Sequence, residues 1–548
     1  MALSTAASSQ GDDKAQSKTI THDRGDDEKF ASIDTTSDED AELNRLGLES
    51  PAKRDIGLLG IVGLGWNISN SWAAIAATLV ISITSGGPVT LLYGIILIFV
   101  LGGACALSMA EIASVYPTAG GQYHWTSILA PRRLSRGLSY CCGSTNFLGW
   151  IANGAGFTIQ MPVIVLSLAA YLDPTYVPET WHIFLVFQAF NVAFTAYNIF
   201  LMKRTAWIHD IGFFLSLAGF FVITVTCLAR SEHKQDDAFV WTAFVNESGW
   251  SSRGIVFLTG LLNPNFIYSG LDGAIHLAEE CTNASSAIPR ALISTVTIGF
   301  VSAFTFSVAM LYSFTDLEPV LSSPNSEHRA RPRGVVLTSI LHRLPILEMW
   351  SQATGSSAAA TAFVVILSVC GCFACTGALQ TASRLTWSFA RDDAIIFSSF
   401  LREMHPTLDV PVNALIVNFV LVFALGCVFL GSSTAFNALV ATGLILQQVS
   451  FTFPAALALY HRSRGPAAFE KVLPRRRFGL PGVFGFLANF LTIVHGLLAL
   501  VFYVFPAVMP VSASNMNYAI VVLGVMVLFS VANWFGYANK KYKGPRLD

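Results

Sequence analysis

Charged side chains are scarce in this sequence. Asp, Glu, Lys and Arg make up 12% of its 548 residues, 53% are hydrophobic and the mean hydropathy is +0.56. A soluble domain carries roughly twice that share of charge, so the balance excludes a water-soluble globular chain and leaves a polytopic membrane protein. Catalytic constellations are missing too. His276-Leu277-Ala278-Glu279-Glu280 begins as a zinc-protease helix does, but Glu280 stands where the second His is needed. Gly60, Gly63 and Gly65 make no G-x-G-x-x-G, and no strand precedes them. An enzyme is disfavoured, and no metal or cofactor is called for. No basic stripe suggests nucleic acid. The formal net charge of -1 says little about partners, because the charges are divided between the two leaflets. Nine cysteines are present, most of them inside apolar runs. Cys372-Phe373-Ala374-Cys375 has redox or zinc spacing but no nearby His and no βαβ context, so it reads as helix packing and the cysteines as free thiols.

Long apolar runs are what the chain has instead. Each is about 20 residues, enough to cross about 30 Å of hydrocarbon as a helix. Twelve lie near 57–82, 87–110, 140–171, 181–201, 208–229, 253–277, 290–314, 354–380, 411–431, 435–460, 483–508 and 515–537. The expected fold class is therefore an all-α integral membrane protein with twelve transmembrane helices filling 55–538. Residues 1–54 differ: Asp12, Asp13, Asp26, Asp27, Glu28, Asp38, Glu39 and Asp40 stand among Ser and Thr, the composition of a disordered acidic tail. Lys14, Lys18 and Lys29 in it read as solvating charge or as modification sites. No basic flank and apolar core marks a secretory signal, so the first spanning helix is expected to direct insertion itself.

Orientation follows from Lys and Arg placement. Alternate loops hold Arg132, Arg133 and Arg136; Lys203 and Arg204; Arg290; Arg384, Arg391 and Arg402; then Arg462, Arg464, Lys471, Arg475, Arg476 and Arg477. A short basic tail, 539–548, adds Lys540, Lys541, Lys543 and Arg546. The opposite loops hold only Arg230, Lys234, Arg253, Arg329, Arg331, Arg333 and Arg343. Both termini are expected in the cytosol.

The sixth run is interrupted at mid-length by Asn263-Pro264-Asn265-Phe266-Ile267-Tyr268-Ser269-Gly270-Leu271-Asp272-Gly273. A carboxylate among glycines is costly in lipid, so Asp272 is expected to face a water-filled cavity where the helix breaks. The first run repeats the pattern in Gly63-Leu64-Gly65-Trp66-Asn67-Ile68-Ser69-Asn70-Ser71-Trp72-Ala73-Ala74. Interrupted helices in first place in each half point to a five-plus-five inverted repeat, with helices 1 and 6 broken around substrate near mid-bilayer and two further helices behind. Gly63 and Gly65 themselves read better as close helix packing.

Three motifs then converge. Glu111-Ile112-Ala113-Ser114-Val115-Tyr116-Pro117-Thr118-Ala119-Gly120-Gly121-Gln122-Tyr123 follows the second helix, the broken sixth helix continues through Ala274-Ile275-His276-Leu277-Ala278-Glu279-Glu280, and Ser383-Arg384-Leu385-Thr386-Trp387-Ser388-Phe389-Ala390-Arg391-Asp392 follows the eighth. Together they resemble the amino acid-polyamine-organocation superfamily, in its fungal amino-acid/choline permease branch, which includes permeases for 4-aminobutyrate and choline. The resemblance spans roughly residues 55 to 538. It implies the twelve-helix inverted-repeat fold and alternating access. Asn70-Ser71-Trp72-Ala73 falls where many members have a Gly-Ser-Gly break, and Trp72 departs from that pattern.

Candidate site residues follow from both breaks. Freed amides suit a carboxylate and freed carbonyls an ammonium, so Asn70, Ser71, Trp72, Ala73, Phe266, Tyr268, Ser269, Gly270 and Asp272 form the expected substrate site. Trp72, Phe266 and Tyr268 offer aromatic faces to an amine, or else pack. Asp272 is also the coupling candidate, exchanging a proton or drawing in a cation; its bland role is to cap backbone amides. Asn146, Asn153 and Gln160, seven residues apart on one face of the third helix, line the pathway or tie helices together. Glu279, Glu280 and Arg384 are gate candidates at the cytosolic end, with solvated loop charges as the simpler reading. The expected activity is proton-coupled uptake of an amino acid such as 4-aminobutyrate across the plasma membrane. Choline or a polyamine, a vacuolar location, and a transporter-like receptor that does not translocate stay open.

Overall fold

A backbone inside hydrocarbon has no water to bond, and these apolar runs answer that constraint by closing every ladder within helices. The computed structural model describes residues 54–545 except 174, 206, 314, 316–343 and 514, all within one unit, Ser50–Arg546. The acidic tail with Lys14, Lys18 and Lys29, the loop cations Arg329, Arg331, Arg333 and Arg343, and Arg546 lie outside the described residues.

The first span comes in two pieces, α1 (Leu58–Ser69) and α2 (Ser71–Thr84). Next come α3 (Gly87–Ala113), a short α4 (Gln122–Leu129), α5 (Arg132–Leu172), α6 (Thr180–Phe200) and α7 (Ile208–Arg230). The sixth span opens with α8 (Arg253–Gly260), shortens through Leu262–Asn265 and Phe266–Tyr268, and ends in a 3₁₀-wound half-helix, Leu271–Glu280. The remaining spans are α9 (Ala284–Ser313), α10 (Ser357–Arg391), α11 (Val412–Gly431), α12 (Ser433–Ser463), α13 (Gly482–Phe502) and α14 (Ala519–Asn533). Among the described residues ten helices are long and apolar enough to cross a membrane; the other two predicted runs are the broken ones.

Two boundaries shift with consequence. The eighth span was expected to end near residue 380, with Arg384 and Arg391 in a loop, but α10 runs unbroken to Arg391. Its last turns tolerate both cations because each meets a glutamate from the sixth span. The third span starts at Arg132, eight residues before the apolar run at 140, because Pro131 at the N-cap fixes the entry and the first turns lie at the bundle's edge.

The breaks have local causes. Asn70 adopts a left-handed conformation (φ 30°), which Asn tolerates better than most residues. In the sixth span Pro264 brings no N–H to the ladder, and Gly270 sits at φ 74°. A Cβ on Gly270 would lie 2.4 Å from Ile68 Cγ2, so glycine serves both the dihedral and the contact with α1.

Packing pairs the two halves. α3 lies on α9, α5 on α10 and α6 on α11, while α1 and α2 lie on the pieces of the sixth span. Each of the first four spans thus packs against the span five places later, the arrangement a duplicated five-helix unit produces. α13 covers α3 and α12 from outside, and the last span is the most exposed, with only 11% of its apolar window buried.

Candidate functional site

The two breaks meet. Ser71 Oγ donates to Ile267 O at 2.7 Å and Ser69 Oγ to Ser269 O at 3.3 Å, so side chains of the first span occupy carbonyls freed in the sixth. Asn70, at the N-cap of α2, makes no side-chain cap bond, whereas the amide of Gly270, at the N-cap of the half-helix Leu271–Glu280, is taken by a side chain of α12. Asn70 Oδ1 accepts from Ser216 Oγ at 2.9 Å, and the Trp72 indole donates to the same hydroxyl at 3.0 Å.

Asp272, fully buried, is the second residue of that half-helix, and an unpaired carboxylate there would be strongly destabilising. Four side chains surround it. Gln447 Nε2 on α12 donates to Oδ1 at 2.7 Å; Gln122 Nε2 on α4 and Trp150 Nε1 on α5 donate to Oδ2 at 2.8 and 3.2 Å. His276 Nε2, one turn along, lies 3.1 Å from Oδ2. Gln447 also accepts from Gly270 N at 3.1 Å, binding the break and the carboxylate with one amide. Asn146 Nδ2 donates to Gln122 Oε1 at 3.0 Å and lies 3.3 Å from His276 Nε2. Among the described residues Asp272 is thus held by side chains, one of which also takes the freed amide of Gly270.

The other candidates are spread more widely. Tyr268 is buried, its hydroxyl donating to Val296 O at 2.9 Å and its ring over Gly102, where a Cβ would come within 2.4 Å of Cδ2. Trp72 packs on Phe306 with ring centroids 5.6 Å apart, and Phe266 joins the apolar cluster of Leu261 and Tyr503. Ala73 is buried beside them. Of the three amides on α5, Asn146 alone touches the side chains that surround Asp272, through Gln122 and His276; Asn153 abuts Gly443 on α12, and Gln160 is half-buried.

At the basic end of the bundle the charges are paired. Arg384 Nε meets Glu280 Oε1 at 2.8 Å and Lys203 Nζ meets Oε2 at 2.9 Å. Glu280 lies past the apolar run; burial pushes its carboxyl up, but Arg384 and Lys203 outweigh that and hold it at about 2. Arg391 grips Glu279 through both terminal nitrogens, at 2.9 and 3.0 Å, and Ala119 N donates to Glu279 at 3.1 Å. Glu111 binds Arg462 and accepts from Leu480 N at 3.0 Å. Beside Glu280 opens a cavity of about 260 Å³ that also takes in Asp55, Lys203, His209, Asp210 and Gln380.

Sequence reasoning missed Gln122, Trp150, His276 and Gln447 as partners of Asp272. Only His276, four residues on and so on the same helical face, carried a local signal.

A family model described as amino acid permease matches residues 56–527. A choline transporter of Saccharomyces cerevisiae is 34% identical over 90% of this chain and 82% of its own length. A swainsonine transporter of Arthroderma benhamiae is 32% identical, over 88% of this chain and 91% of its own length. A 7-keto 8-aminopelargonic acid transporter of S. cerevisiae is 25% identical, over 85% and 89%.

Proposed function

This chain belongs to the amino acid permease family, and from that premise we propose that it is a proton-coupled transporter moving a small amine-bearing solute into the cell by alternating access. Transport of amino acids, choline or related amines is the family's business; the cargo and the coupling are the reading offered here. Buried Asp272, seated at the meeting of two helix breaks, carries that reading. An intramembrane carboxylate suits an ammonium, and the N-terminus of α2 beside it, where Asn70 makes no cap bond, suits a carboxylate. A zwitterion such as 4-aminobutyrate satisfies both ends. Choline is the second reading, favoured by the 34% identity to a choline transporter, and it needs only the anionic side.

Asp272, Gly270, Ser269, Tyr268 and Phe266 from the sixth span and Asn70, Ser71 and Ala73 from the first are the proposed cargo site, with Asn146 beside it and Trp72 bracing the first break. Glu279 and Glu280 with Arg391, Arg384 and Lys203 form the proposed inner gate, closed in this conformation. The excess of Lys and Arg in alternate loops supports cytosolic termini; the plasma membrane is the proposed address, with the vacuolar membrane as the competing one. The test is uptake of labelled 4-aminobutyrate, other amino acids and choline in fungal cells lacking their own permeases, with and without a protonophore. Protonophore-sensitive uptake that Asp272→Asn abolishes supports the reading. Surface expression and binding without uptake of any solute moves it to a receptor.

A further inference from the structure

We propose that the coupling proton is stored between His276 and Asp272, with His276 as its carrier. The inference rests on the transporter reading and adds the residue that makes it proton-driven. The hydrogen-bond geometry assigns the proton. His276 Nδ1 lies 2.8 Å from Ala119 O, and a carbonyl only accepts, so Nδ1 bears a hydrogen. Nε2 lies 3.1 Å from Asp272 Oδ2. With hydrogen on Nδ1 alone, Nε2 has only the Asn146 amide at 3.3 Å to accept from, and its lone pair meets the nearer carboxylate oxygen at a site with no exposure. The proposed second proton lies between Nε2 and Oδ2, the shorter of the two contacts.

The surrounding amides fix where that proton rests. Gln447 Oε1 accepts from Gly270 N, so its Nε2 is the atom facing Asp272. Gln122 Oε1 accepts from Asn146, which turns its Nε2 to Asp272, and the Trp150 indole can only donate. Three neutral donors point at the carboxylate, which favours the anionic acid and places the proton on the ring. The pair is then imidazolium and carboxylate, net neutral. Other titratable groups nearby are already engaged: Cys142 on α5 donates to Ser450 O at 3.6 Å, Glu279 is held by Arg391, and His124 lies 3.3 Å from Asp392.

The same ring fastens the half-helix to the loop before α4, because Ala119 accepts from His276 through O and donates to Glu279 through N. Proton and closed inner end are thus one assembly. When the inner end opens, the Nε2 proton passes to the water that enters there, and the ring is left neutral with its Nδ1 hydrogen still on Ala119 O, beside an ionised Asp272 ready for the next proton. One proton enters with each cargo molecule.

Purified protein in proteoliposomes, with a pH dye inside and labelled choline or 4-aminobutyrate outside, separates the outcomes. Wild type is expected to acidify the lumen as cargo enters. His276→Gln is expected to keep exchanging labelled for unlabelled cargo, more slowly, while proton entry and uphill accumulation fall to background. Cargo entry in wild type without proton movement, or proton-driven accumulation in His276→Gln, overturns the proposal. If His276→Gln is inert in both modes, binding of labelled cargo to the purified variant between pH 5 and 8 decides: binding that has lost the wild-type dependence on pH supports the assignment, and binding that keeps it, or no binding at all, overturns it. Wild type that carries no solute at all counts against the transporter reading instead.

Discussion

Gln447 donates to Asp272 Oδ1 at 2.7 Å while its own carbonyl accepts from Gly270 N at 3.1 Å. One amide from α12 thus satisfies both a freed backbone donor and a buried carboxylate of the sixth span. Gln447→Ala strands Gly270 N and the Oδ1 of Asp272, while Oδ2 keeps its partners, and a buried unsatisfied group costs about 1–3 kcal/mol. The expected result is a lower melting temperature in detergent together with uptake reduced at least about tenfold, since roughly 1.4 kcal/mol corresponds to one decade. Gln447→Glu should be worse than Ala, because it sets a second carboxylate against Asp272. Wild-type melting and uptake in both variants would show that this bridge holds nothing.

The inner charges make a prediction with three members. Glu280 faces Arg384 and Lys203 together, so Arg384→Glu places two carboxylates beside one lysine. Breaking a buried pair costs about 3–5 kcal/mol, and uptake should be lost. Adding Glu280→Arg restores part of it, because the new guanidinium still meets Lys203; adding Lys203→Glu as well restores more. No rescue in any combination would remove Glu280–Arg384 from the gate.

The same pair bears on pH. Glu280 is depressed from 4.5 to about 2, so its contribution is fully present above about 4.5 and is lost only as pH falls toward 2. The clamp is therefore unchanged between pH 5 and 8, a range set by His titration rather than this carboxylate. Uptake should still vary with pH across that range, and Glu280→Gln should lower the whole profile without moving its midpoint. A midpoint that shifts in Glu280→Gln would assign the pH response to the gate.

How much of this was legible follows from where each signal sits in the chain. The two breaks were, because Asn70 in one apolar run and Pro264, Gly270 and Asp272 in another cost energy that only special structure offsets. Their meeting through Ser71 and Ile267 was implied by the repeat rather than by any residue. The ring round Asp272 was not legible: Gln122 and Gln447 stand 150 and 175 residues from it in sequence, and amides in membrane helices read equally well as ties between neighbours. Arg384 and Arg391 were assigned to a loop because an apolar scan ends where charge begins, whereas the helix continues as long as each charge has a partner.

Gly270 offers a steric test of the break. Alanine there must adopt φ 74°, about 1–2 kcal/mol unfavourable for a residue with a Cβ, and must also clear Ile68 Cγ2 at 2.4 Å. Gly270→Ala should reach the surface poorly and transport little. Ile68→Ala added to it removes the clash but not the dihedral, so surface expression should recover further than uptake does. Equal and full recovery of both would mean that the left-handed turn is not needed for transport.

Trp72 separates packing from recognition. Its indole donates to Ser216, which in turn donates to Asn70 Oδ1, and its ring leans on Phe306. Phenylalanine keeps the ring and drops the donor, leaving Ser216 Oγ its bond to Asn70, so the loss should be about 1 kcal/mol of stability. If Trp72 only braces the first break, Trp72→Phe lowers surface expression while KM for cargo stays within about twofold. Cation–π contact with an ammonium is worth about 0.5–2 kcal/mol and is strongest over indole, so a residue that holds cargo would raise KM several-fold in the same variant, and more for choline than for 4-aminobutyrate, which has a second charged end to hold it. The indole already spends its donor on α7, and its ring face is taken by Phe306; the expected outcome is the brace, with KM unmoved and maximal rate falling only as surface protein falls.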